Sequence, residues 1–124
     1  MNRTRLILGI MLLACLFFPQ FVLANCSAAY SWADDAYSYA RKVYKSENLH
    51  DIHYYAEKTM SAAEEAMSEA KKCGCNDAYS SAKDVYGYAQ KAYQTNYLHE
   101  ALFYMRKAMS AAGDAMYAAA DCGI

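Results

Sequence analysis

The sequence predicts an all-α protein: two tandem 49-residue helical hairpins forming an up-down-up-down four-helix bundle, each hairpin clasped by a disulfide. Three observations predict it. Shifted by 49 residues, the chain matches itself without a gap, with 24 identities in 49 positions between residues 26–74 and 75–123, the mark of an internal duplication. Each unit carries two stretches in which small and aromatic residues recur at three- and four-residue steps, the spacing of one helix face. The single proline is Pro19, so none interrupts the rest of the chain, and helix formers fill the interiors of the predicted helices.

Residues 1–24 read as a cleaved export signal. Asn2-Arg3-Thr4-Arg5 is a short basic region, and Leu6 to Phe18 is an apolar run too short for a bilayer span of about 20 residues. Val22-Leu23-Ala24 supplies the small or apolar residues a signal peptidase reads, with cleavage expected after Ala24. A rival reading takes Leu12-Leu13-Ala14-Cys15 as a lipidation box. Leu13 is bulky for that position, and the residues after Cys15 are apolar rather than a polar tether.

The single domain expected over residues 25–124 starts with a helix whose seam runs through Tyr30, Ala33, Tyr37, Ala40 and Tyr44. The turn falls near "SENL" (46–49), where Ser46 and Asn48 can supply capping oxygens. The second helix places Leu49, Ile52, Ala56, Thr59, Ala63, Ala66 and Ala70 on one face. In the second unit the first seam repeats as Tyr79, Ala82, Tyr86, Ala89 and Tyr93, and the turn as "TNYL" (95–98), with Thr95 and Asn96 as cap candidates. The last helix repeats the Ala-rich face from Leu98 to Ala119. Asp34, Arg41, Glu57, Glu64 and Lys71 fall on the other faces. The six seam tyrosines are expected to pack as core, large against small, with their hydroxyls toward the bundle edge.

The cysteines follow from the heptads. Losing the leader removes Cys15 and leaves Cys26, Cys73, Cys75 and Cys122. An even number in an exported chain reads as two disulfides in an oxidising compartment, periplasmic or extracellular. Extending each seam by three or four residues places Cys26 and Cys73 together at the open end of the first hairpin, and Cys75 and Cys122 likewise in the second. The expected pairs are therefore Cys26–Cys73 and Cys75–Cys122. Cys73-Gly74-Cys75 is then the junction between two units, not a redox pair, which would need a strained small ring and a reactive thiolate.

Without Arg3 and Arg5, ten Lys/Arg face thirteen Asp/Glu, a net charge near −3 that offers nucleic acid nothing. No second hydrophobic segment suggests a membrane span. No nucleophile turn, glycine-rich phosphate loop or zinc-type spacing occurs, so neither an enzyme nor a cofactor is expected. The stretch "NYLHEALFYMRKA" (96–108) resembles the second helix of a tetratricopeptide repeat over about a dozen residues. The period here is 49 rather than 34, and the Trp-Leu-Gly signature of that repeat's first helix is missing. The resemblance implies an open array of helical hairpins as the alternative to a closed bundle.

Two functional readings remain. Thirteen tyrosines exceed what helix packing needs. Trp32, Tyr39 and Tyr88 fall beside the seam, and Tyr54, Phe103 and Tyr117 fall on outward positions, so these six are the candidate contact surface for a protein partner. The alternative is copper handling by a stripe of His53, Met60 and Met67 with Met109 and Met116, although Met at helical spacing also serves as gap-filling core. His53 is replaced by Leu102 in the second unit.

Overall fold

The computed structural model describes residues 25–124; the expected leader, with its Cys15, lies outside them. Four helices follow in order: α1 (Ser27–Lys42), prolonged by a 3-10 turn at Val43–Lys45, then α2 (Leu49–Lys72), α3 (Asn76–Gln94) and α4 (Leu98–Asp121). Each packs along the next, α4 closes back onto α1, and the diagonal pairs touch little. This is the expected four-helix up-down bundle rather than an open array.

The turns show what stops and starts each helix. Asn48 caps α2: its Oδ1 accepts from the Asp51 amide at 2.8 Å, while its Nδ2 donates to Asp51 Oδ2 at 3.0 Å. The matching turn before α4 has no side-chain cap, because Tyr97 stands at the N-cap. There, Thr95 Oγ1 accepts from the Tyr97 amide at 3.2 Å, and the side chains of Ser46 and Asn96 cap neither α2 nor α4. At the junction between hairpins, Gly74 adopts φ +73°. Its amide donates to the Lys71 carbonyl, and the Cys75 amide reaches back to the Ala70 carbonyl at 2.9 Å. This paired closure needs a left-handed residue after the helix, which glycine takes without a Cβ penalty. The two ends of the domain are tied by the Cys26 amide donating to the Gly123 carbonyl at 2.8 Å.

The core is made of small side chains. α1 buries Ala29, Ala33, Ala36 and Ala40, followed by Val43, and α3 buries Ala78, Ala82, Val85, Ala89 and Ala92. α2 and α4 bury the faces expected of them, except that Leu49 and Leu98 are only half-buried. Ile52 and Met105 are the largest fully buried residues. Among the described residues the one buried polar side chain, Thr59, donates to the Tyr55 carbonyl one turn back at 2.8 Å.

The expected tyrosine seam is corrected here. Tyr30, Tyr37, Tyr79 and Tyr86 are half-buried on the flanks of the alanine stripe, and Tyr44 and Tyr93 are 50% and 45% exposed. The seam proper runs through Cys26, Ala29, Ala33, Ala36, Ala40 and Val43. Alanine lets helix backbones approach closely, leaving no room between them for phenol rings. On the flank each ring covers apolar surface while its hydroxyl stays in contact with water, and among the described residues no buried side-chain polar atom lacks a partner.

Both disulfides form as expected. Cys26 joins Cys73 and Cys75 joins Cys122, with Cα–Cα distances of 5.4 and 5.9 Å. Each closes its own hairpin at the end opposite the turn. Two disulfides fit an oxidising compartment. No helix among the described residues is long and apolar enough to cross a membrane.

Candidate functional site

All thirteen tyrosines, with Trp32 and Phe103, lie in the described region, and none of these fifteen rings is buried. They form a discontinuous aromatic sleeve around an alanine core. The six expected contact residues are distributed over all four helices. Trp32 on α1 is exposed, Tyr54 on α2 and Phe103 on α4 are 53% and 52% exposed, and Tyr117 on α4 reaches 77%. Tyr39 on α1 and Tyr88 on α3 are half-buried against the central core cluster.

Cations organise much of this sleeve. The Lys42 ammonium stands 5.4 Å from the Tyr39 ring centroid and 6.0 Å from that of Tyr55. Its counterpart in the second hairpin, Lys91, stands between Tyr88 and Tyr104 at 5.9 and 5.6 Å. Lys58 over Tyr54 and Lys107 over Phe103 are matched in the same way, at 5.6 and 5.5 Å. Four of these contacts, Tyr39–Lys42, Tyr54–Lys58, Tyr88–Lys91 and Phe103–Lys107, recur because Lys follows the aromatic residue by three or four positions in both units, and the other two reach across to the next helix. That spacing is legible in the sequence, where it is a signal for cation–π pairs.

Two further pairs are unmatched. Lys71 stands 5.5 Å from the Tyr79 ring, across the junction of α2 and α3. Arg106 stands 5.7 Å from Tyr44, across α4 and α1. Forty-nine residues away, the cation of the first pair is replaced by Ala120 and that of the second by Glu57. At the first of these positions a groove of about 460 Å³ opens between α1 and α4, lined by Tyr30, Asp34, Tyr37, Gly113, Met116, Tyr117 and Ala120. At the second, Glu57 lines a groove with His50, His53, Tyr54, Tyr93 and Asn96. Only helix-pair geometry reveals these grooves, since their walls come from opposite ends of the chain or from different hairpins.

The Met/His stripe is placed among packing contacts. Met60 and Met109 lie against the central core cluster, as does Leu102, and Met67 and Met116 lie against the cluster of Ala33, Ala66, Ala82 and Ala115. His53 Nε2 is 2.8 Å from the Thr95 carbonyl oxygen, and its ring is 5.6 Å from Tyr93. Among the described residues, the one group of His, Cys or acidic side chains close enough to share a metal is Cys26, Cys75 and Cys122, with sulfurs within 4.8 Å of one another. All three sulfurs are engaged in the two disulfides.

The chain matches no family model, no curated protein and no solved structure.

Proposed function

We propose that this protein is an exported binding module, delivered to the periplasm or outside the cell, that contacts another protein through aromatic side chains on its helical edges. One observation carries the reading: the bundle closes on alanine and leaves every ring of the described region on its surface or flanks. Eight of the fifteen pack against the core from its flanks, but seven, Trp32, Tyr44, Tyr54, Tyr93, Tyr97, Phe103 and Tyr117, are exposed, and exposed aromatics are the residues that anchor protein interfaces. The basic and apolar start of the chain and the duplicated, internally clasped hairpins support export as a compact unit that stays folded without a reducing cytosol.

The test compares wild-type protein with a Phe103→Ser/Tyr117→Ser variant. A partner recovered by the wild type from the exported fraction of the native host is purified and titrated with both. The expected result is an unchanged melting temperature with affinity lowered about 30-fold or more, since truncating an aromatic anchor commonly costs about 2 kcal/mol. Equal affinity for both proteins rejects these rings as anchors.

A further inference from the structure

The internal duplication supplies a control for each side of the bundle. The α2–α3 seam and the α4–α1 seam are equivalent by the 49-residue offset, yet their clasp-end halves differ. On α2–α3, the Lys71 ammonium covers the Tyr79 ring. On α4–α1 the corresponding ring is Tyr30, the residue in place of Lys71 is Ala120, and the groove is open. Lys83, one helical turn after Tyr79, is replaced by Asp34, which lines the open groove. Glu64 is replaced by Gly113, which removes a side chain from the groove's wall. An added Cβ at Gly113 would meet nothing within 4 Å, so the glycine is not there to relieve a clash.

Charge follows the same division. Residues 27–40 and 109–124 form the clasp-end halves of α1 and α4 with the short C-terminal tail. They contain Asp34, Asp35, Asp114 and Asp121 and not one Lys or Arg. The equivalent half of α2 and α3 carries Lys71, Lys72 and Lys83 among its acids. An aromatic groove with a carboxylate and no cation is complementary to an alkylammonium group, which gains from the ring face and from the anion together.

We infer that the α1–α4 groove receives a lysine side chain presented by the partner protein, seated over Tyr30 as Lys71 is seated over Tyr79, with Asp34 as its counter-ion. This rests on the reading of the protein as a binding module and names what one of its faces takes. A protein lysine is the occupant because the filled copy of the site holds one, delivered from a helix at that position. The other ring whose copy carries a cation is Tyr93, the counterpart of Tyr44; it has the His53 imidazole as its neighbour and is the weaker candidate.

The experiment follows the ring signals of Tyr30 and Tyr37 by NMR as the purified protein is titrated with a capped alanine-based helical peptide carrying lysine on one face. The same peptide with norleucine at those positions, and spermidine as a free amine, serve as comparison arms. The lysine peptide is expected to shift both rings and to bind at least about threefold tighter than the norleucine peptide. Asp34→Asn should remove most of that preference. Ala120→Lys should plug the groove as Lys71 plugs its copy and weaken the peptide about tenfold while the melting temperature holds or rises. Equal binding of the two peptides overturns the inference, as does full binding to the Ala120→Lys variant. Spermidine binding tighter than the lysine peptide overturns the assignment to a protein side chain. A native partner that needs Phe103 and Tyr117 but ignores Asp34→Asn and Ala120→Lys would remove the lysine site and leave the binding module standing.

Discussion

Tyr39 and Phe103 show how little a residue's type says about its place. Both are aromatic, both neighbour a lysine ammonium, and both were candidate contact residues. Phe103 stands out on the face of α4, whereas Tyr39 lies half-buried against the central cluster beneath Lys42. Substitution should separate them. Phe103→Ser and Tyr117→Ser should each shift unfolding free energy within about 0.5 kcal/mol. Tyr39→Ser and Tyr88→Ser should each cost about 1–2 kcal/mol, since part of a ring's burial is lost. Urea melts of the four single variants check this ordering. The methionines give a second prediction at this scale. Replacing Met60, Met67, Met109 and Met116 together by Leu nearly conserves volume, so the fold should persist. Copper(I) affinity of the wild type should be weaker than roughly micromolar; stoichiometric binding tighter than that, lost in the fourfold variant, would restore the Met/His stripe as a metal site.

At the scale of the element, the buried helix faces are legible in the sequence of α2 and α4 and ambiguous in that of α1 and α3. In α2 and α4 the Ala-rich stripe has no aromatic competitor at the same spacing, so periodicity alone finds the buried face. In α1 two stripes interleave: Tyr30, Ala33, Tyr37, Ala40, Tyr44, and Cys26, Ala29, Ala33, Ala36, Ala40, Val43. They share Ala33 and Ala40, and hydrophobic bulk favours the wrong one. Helix–helix distance decides, and a bundle already committed to alanine on α2 and α4 closes on alanine everywhere. The caps behave as local chemistry predicts, with one defect. Asn48→Ala should cost about 1 kcal/mol, and Tyr97→Asn, which places in the second hairpin the cap found in the first, should add several tenths to 1 kcal/mol. Thermal melts of the two variants moving in opposite directions would support the pairing of these turns.

The whole molecule is held by two devices that compensate for a core of small side chains. Close helix packing is one, and the clasps are the other. Each disulfide spans 47 residues, and a loop of that size constrains the unfolded chain by about 4 kcal/mol in the entropy model. Removing one clasp as Cys75→Ser/Cys122→Ser should therefore lower unfolding free energy by about 4 kcal/mol, read from denaturant melts. The clasp pairing was legible because heptad counting carries each seam to its cysteine whichever of the two stripes is followed. The grooves between hairpins were not, because Tyr30 and Ala120 meet only once α4 has closed onto α1.

The central claim is that rings surround an alanine core. Hydroxyl-radical footprinting of the folded protein, read by mass spectrometry at each tyrosine, tests it directly. Every one of the thirteen tyrosines should react, with Tyr97 and Tyr117, the most exposed, labelled fastest and Tyr44, Tyr54 and Tyr93 close behind. If instead Tyr30, Tyr37, Tyr44, Tyr79, Tyr86 and Tyr93 stay unlabelled while the rest react, those six rings form the core, and neither the aromatic sleeve nor the groove beside Tyr30 exists.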